Sequence, residues 1–280
     1  MDLLERAGYS VNWRNSGLRR SAVDEISFLD EAIRTSRRTI VLASQAYFQS
    51  AIQQFEWAEA WRRDPAGRSG SLIVVRVEDC GLEPLLLLAP CIDLFHRGEA
   101  DARSIFVQEI REIVAGTRRQ SESSPVAVAN TGTYDLGARR QFLIVCDDED
   151  DQWSSWVAWS LQDAGYSVFF ESFDFLPGQM RVVWISDALR LSDRAIVVAA
   201  PSFMRSAICE AQWRVRAAMN PNGVQESVLV TRAEECLLPE ELLSAPRVDL
   251  FGQSEVECRA HLLEFVRSLG LEPDVGPTDA

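Results

Sequence analysis

Residues 141–170 read QFLIVCDDEDDQWSSWVAWSLQDAGYSVFF, and the order of signals in this stretch decides the fold. Phe142 to Cys146 is an unbroken apolar run, the pattern of a strand buried on both faces of a parallel sheet. Asp147 to Asp151 interrupt it with an acidic loop. Trp153, Trp156, Val157 and Leu161 then recur at helical spacing, Gly165 ends the helix, and Ser167 to Phe170 form a second strand.

The alternation continues downstream. Asp174-Phe175-Leu176-Pro177-Gly178 carries a strong turn signal, and Val182 to Leu191 is helical. Ala195 to Ala200 is a third strand and Ser206 to Met219 a helix. Val228 to Val230 is a fourth strand, Val248 to Leu250 a short fifth, and Ser254 to Leu269 a closing amphipathic helix. Five short strands separated by helices predict an α/β fold: an open parallel sheet with helices on both faces, in the flavodoxin-like order 2-1-3-4-5.

The same unit occurs earlier in the chain. Ala7-Gly8-Tyr9-Ser10-Val11 returns as Ala164-Gly165-Tyr166-Ser167-Val168. Arg76-Val77-Glu78-Asp79-Cys80 returns as Arg232-Ala233-Glu234-Glu235-Cys236, and Asp93-Leu94-Phe95 as Asp249-Leu250-Phe251. The offset between the copies is 157 at the first anchor (165 minus 8) and 156 at the others (232 minus 76, 249 minus 93). So long a period means duplicated domains, not a solenoid of ~20–50-residue repeats. The first copy follows the pattern from its second strand onward, with Thr39 to Ala43, Leu72 to Val75 and Ile92 to Leu94 as strands three to five. It lacks the first strand, the acidic loop and the first helix. The expected organisation is a truncated domain at 1–116, a linker at 117–140 rich in Ser, Gly, Thr and Arg, a complete domain at 141–270 and a tail at 271–280. In the order 2-1-3-4-5 the absent strand is internal, so residues 1–116 are expected to fold poorly alone and to depend on the second copy or on residues upstream of Met1; within the linker Val126 to Ala129 is the short apolar candidate to fill the gap.

Composition bounds the function. The net charge of −14 argues against a general nucleic-acid binder. All 28 basic residues are Arg, so a phosphate loop that depends on its Lys is excluded. No apolar run approaches the ~18 residues that cross a bilayer, and Met1 to Arg6 has no signal-peptide character; the expectation is a cytoplasmic protein without membrane attachment. Cys80, Cys91, Cys146, Cys209, Cys236 and Cys258 form no C-x-x-C pair and have only His96 and His261 beside them, so no metal site is expected. Cys80 and Cys236 read as buried, reduced small hydrophobes.

Four segments resemble bacterial TIR (Toll/interleukin-receptor) domains of the actinobacterial type. They are Asp150 to Trp159; Gly165 to Val168 leading to Asp174 to Gly178; Ser50 to Trp57 with its counterpart ending Gln212-Trp213; and Val75 to Cys80 with Ile92 to Phe95. The resemblance implies a signalling and assembly protein acting through TIR–TIR contacts, with other TIR domains or copies of itself as partners. Asp174, Phe175, Leu176, Pro177 and Gly178 match the loop that mediates such contacts. It also implies an alternative, cleavage of NAD to nicotinamide and ADP-ribose products by a Glu on the helix after the third strand. NAD would then be a substrate, and no cofactor is required. The matching positions are Glu56 in the first copy and Gln212 in the second, with Trp57, Asp150 and Trp153 as substrate-binding candidates. A carboxylate stabilises the positive charge that develops on the ribose; an amide does so far less. Read without the resemblance, Glu56 is one of several helix carboxylates, Trp57 and Trp213 are core anchors, and Asp147 to Asp151 are a solvated loop.

Overall fold

The structure, a computed structural model, describes residues 2–12, 31–48, 51–117, 135–147, 151–220 and 222–274, and for residues 2, 51–56 and 151 the backbone alone. The chain divides into two compact units, residues 1–131 and 132–280, each built on its own sheet.

The first unit contains α1 (Asp2–Arg6), β1 (Thr39–Ala43), α2 (Gln45–Phe48), α3 (Ala51–Arg62), β2 (Leu72–Arg76), β3 (Cys91–Asp93) and α4 (Glu99–Ala115). The second contains β4 (Arg140–Val145), α5 (Asp151–Asp163), β5 (Val168–Phe169), α6 (Glu171–Asp174), α7 (Arg181–Leu191), β6 (Ser192–Ala199), α8 (Ala207–Ala218), α9 (Val224–Ser227), β7 (Val228–Arg232), β8 (Arg247–Asp249) and α10 (Glu255–Ser268).

The five strands of the second unit are all parallel and lie in the order β5-β4-β6-β7-β8, which is 2-1-3-4-5. The central strand shows why an unbroken apolar run reads as it does. Ala195 to Ala199 of β6 are 0% exposed, because helices cover both faces. One face packs Phe142, Ile144, Ile196, Val198 and Leu229 against Val157 and Leu161 of α5 and Leu262 of α10. The α10 helix starts at a capping box: Ser254 accepts the Glu257 backbone N–H, and the Glu257 carboxylate accepts the Ser254 N–H. Residues expected as a tail are held by the unit. Tyr166 Oη donates to the Leu271 carbonyl at 3.0 Å, Gln141 Nε2 donates to that of Glu272 at 2.6 Å, and Leu271 packs onto the core.

The first unit keeps strands three to five as a parallel sheet β1-β2-β3. Two expectations change. Tyr9 to Val11, expected as the second strand, is irregular. A strand needs a ladder partner, and among the described residues none stands beside it. The first helix is also not wholly absent. The first repeat anchor aligns α1 with Trp159–Asp163, the last turn of that helix, and Leu4 sits in the core with Ile73 and Val75. The candidate replacement strand, Val126 to Ala129, lies outside the described residues.

Both units solve one packing problem with different residues. The helix before the third strand ends in carbonyls that need partners. In the second unit Arg216 Nη1 donates to the carbonyls of Leu189 and Ser192 at 3.1 and 2.8 Å. In the first, Arg63 Nη1 donates to those of Ile33 and Ser36, the equivalent positions. Arg63 sits one turn further along its helix than Arg216 does. Burial pulls the Arg216 pKa below the ordinary guanidinium value, and the cation remains because its charge meets a helix C-terminus.

Candidate functional site

The loops after the C-terminal ends of parallel strands gather on one edge of the sheet, where α/β folds place their working residues. In the second unit the loop after β5 is braced at its base. The Asp174 carboxylate accepts Arg140 Nη1 at 2.8 Å and the Phe170 backbone N–H at 2.9 Å, while Arg140 also donates to the Val168 carbonyl and stacks on Phe169. Arg181 pairs with Glu171 at 2.6 Å across the loop. Gln179 N–H donates to the Leu176 carbonyl at 3.2 Å, with Pro177 second and Gly178 third at φ 93°, the arrangement of a type II turn. Nothing lies within 4 Å of where a Gly178 Cβ would stand, so the backbone conformation alone calls for glycine.

The structure re-sorts the five loop residues. Asp174 closes the α6 turn and braces it through Arg140 and the Phe170 N–H. Phe175 is half-buried, its ring edge-on to Trp184 at 6.2 Å. The apolar groups offered to solvent are Leu176, 60% exposed, and Phe173, 47% exposed. Sequence spacing could not choose between Phe173 and Phe175. Asp174 could have been found as a carboxylate placed to cap the turn it closes.

Gln212 is buried on α8, one turn beyond Cys209. The Cys209 thiol donates to the Cys146 carbonyl at 2.9 Å, joining the start of α8 to the end of β4. Positions three apart share a helix face, so Gln212 faces the same strand end. Burial pushes the Cys209 pKa up to about 12. The side chain at this position is a neutral amide. Glu56 lies on α3 with its side chain outside the described residues. Trp57, 1% exposed, is enclosed in the core, so its ring is a core anchor. Asp150 lies outside the described residues, and Trp153 stacks edge-on against Trp156 at 5.8 Å. Trp57 belongs to the first unit and Trp153 to the second. A groove in the first unit runs between Leu3 of α1 and Arg103, Val107 and Arg111 of α4. Among the described residues no cluster of His, Cys, Asp and Glu could hold a metal ion.

The repeat anchors meet in space. Arg76 ends β2 and Asp93 ends β3, paired in register. The guanidinium grips the carboxylate with two bonds, 2.6 and 2.8 Å. It also donates to the Cys80 carbonyl at 3.1 Å and lies over the Phe95 ring at 4.7 Å. In the second unit Arg232 bonds Asp249 twice at 3.1 Å, donates to the Cys236 carbonyl at 3.1 Å and lies over Phe251 at 4.9 Å. Cys80 and Cys236 are half-buried, not buried as expected; burial still raises both thiol pKa values. What the clamp uses at these positions is the backbone carbonyl. The hydrogen bond from Arg76 holds the Asp93 carboxyl below its usual range, and the same bond raises Arg76.

A doubly wound parallel sheet in the order 2-1-3-4-5, with a braced, apolar-tipped loop after its second strand, defines a flavodoxin-like module. The chain belongs to the TIR domain family, whose model matches it twice, over residues 1–107 and 142–263. Among solved structures it is similar to the TIR domain of the Toll-related receptor TRR-2 from Hydra magnipapillata, at 22% identity and a TM-score of 0.39, covering 47% of this chain and 99% of that one. No curated protein matches the chain. Among the described residues no helix is long and apolar enough to cross a membrane.

Proposed function

We propose that the protein is a signalling and assembly protein that works through TIR–TIR contacts, with the loop from Glu171 to Gln179 of the second unit as its contact surface. One observation carries this reading: the loop is fixed at its base by Arg140 and Arg181, yet turns Phe173 and Leu176 outward. A rigid base lowers the ordering cost of binding, and exposed apolar side chains supply area to bury. The partners are other TIR domains, including further copies of this chain. NAD cleavage would fall to the first unit and Glu56, because the second unit carries Gln212 at the matching position. The test is sedimentation of the full chain and of a Phe173→Asp/Leu176→Asp variant. The expected result is loss of self-association with an unchanged melting profile. Unaltered sedimentation in the variant removes the loop from the contact.

A further inference from the structure

The contact loop of the second unit hangs from its weakest strand. β5 lies at the edge of the sheet and has two residues, against eight in β6. So short an edge strand has few ladder bonds of its own, and elements held by few backbone bonds open locally. Side chains supply the rest of its hold. Toward the loop this is Arg140, which donates to the Val168 carbonyl and to Asp174. At the opposite end of β5 the hold comes from residues beyond the closing helix. α10 ends at Ser268, and residues 271–274 run across the starts of β4 and β5. Tyr166 Oη donates to the Leu271 carbonyl at 3.0 Å and Gln141 Nε2 to the Glu272 carbonyl at 2.6 Å. Ser167 Oγ donates to the Asp274 carboxylate. Gln141 and Ser167 also bond each other twice. The Gln141 N–H donates to Ser167 Oγ at 2.9 Å, and the Ser167 N–H to Gln141 Oε1 at 3.3 Å. One network thus joins the segment 271–274, the start of β4 and the residue before β5. Leu271 anchors it by packing on the core beside the Tyr166 ring.

We propose that residues 271–274 are a strap that controls the contact loop through β5. Seated, the strap holds the edge strand in register and the loop ready for a partner. Lifted, it lets strand and loop loosen together, and a partner then bears the cost of ordering them. The path is continuous: the strap bonds Ser167, Val168 follows it, and Arg140 links the Val168 carbonyl to Asp174 at the loop base. The element with two states is the β4–β5 pairing. The role in assembly rests on the reading of Glu171 to Gln179 as the contact surface; the coupling of strap to loop does not.

The experiment compares the full chain with two variants. Tyr166→Phe/Asp274→Ala removes two of the strap's bonds and leaves Leu271 in place. Leu271→Asp lifts the strap by charging its apolar anchor. Hydrogen exchange is followed by mass spectrometry. Peptides within 165–180 are expected to exchange about tenfold faster or more in both variants, the equivalent of at least one net hydrogen bond lost from local closure. Peptides from β6 and β7 are expected to keep their protection. Sedimentation is expected to show self-association weakened severalfold. Unchanged exchange within 165–180 overturns the proposal. So does exchange that quickens equally through β6 and β7, because the strap would then be a general stabiliser. Tighter self-association in the variants also overturns it, since the strap would then be blocking the contact. A wild-type chain that stays monomeric sinks the assembly reading, and the exchange data still decide the coupling.

Discussion

Asp93→Ala is expected to cost the first unit about 2 kcal/mol, and Asp249→Ala to cost the second unit about 1 kcal/mol or less. The two clamps have the same parts but different surroundings. The Arg76 side chain is 7% exposed and Arg232 19%, while Asp93 and Asp249 are 38% and 47% exposed. Breaking a buried pair leaves a charge stranded and costs about 3–5 kcal/mol, whereas an exposed pair is worth about 0–1 kcal/mol. Arg76 lies toward the buried limit, but Asp93 opens to water, and Arg76 keeps the Cys80 carbonyl and the Phe95 ring after the change. An intermediate figure follows. For a unit of this size about 2 kcal/mol corresponds to roughly 7 °C in melting temperature. Calorimetry of the full chain reads it, each variant moving the transition of its own unit. The pH dependence has a fixed sign. Asp93 has a depressed folded-state pKa, so its contribution is present above the unfolded carboxylate value of about 3.9 and is lost as pH falls through the lower folded value. Wild type and Asp93→Ala should differ at neutral pH and converge in strong acid. Equal losses in the two units, or a difference that survives acid, would refute the reasoning.

Three further outcomes are expected. With its thiol pushed up to about 12 by burial, Cys209 should resist iodoacetamide at pH values near 8 until the chain is unfolded, as peptide mass mapping would show. Rapid native labelling would mean that the α8–β4 junction opens. Replacing Arg216 with Met should destabilise the second unit by about 2 kcal/mol in urea titrations, because two carbonyls lose a buried guanidinium donor, the Leu189 carbonyl keeping only the Ser192 hydroxyl at 3.3 Å. Any release of nicotinamide from NAD by the full chain should fall to background in Glu56→Gln and stay unchanged in Gln212→Ala; the reverse pattern would place the chemistry in the second unit.

The strands and their order were legible because parallel strands covered on both faces must be apolar throughout, as Ala195 to Ala199 are. The duplication was legible as well, including the Arg, Cys and Asp-Leu-Phe anchors. That these anchors touch was not, since Arg76 and Asp93 are far apart along the chain and only the register of β2 against β3 joins them. Tyr9 to Val11 shows the opposite failure. Its residues suit a strand, but pattern cannot tell whether a partner strand is present. In the loop after β5, the inward turn of Asp174 and Phe175 to Arg140 and Trp184 and the outward turn of Phe173 depend on tertiary partners that the sequence does not display. Trp57 fits a core or a pocket equally well until its burial is known.

The strand pairs of the two sheets close loops of different lengths. In the first unit Val74 meets Cys91, the shortest closure, and Ile40 meets Ile73 over a longer one. Joining the first strand to the third takes a longer loop still, from Phe142 to Arg194. Loop-closure entropy grows with the logarithm of loop length. A loop roughly three times as long as the shortest one therefore costs about 1 kcal/mol more to close. The first strand closes onto the second more locally, from Phe142 to Val168, so the junction between the first and third strands is the costliest closure of the sheet and the one expected to form late.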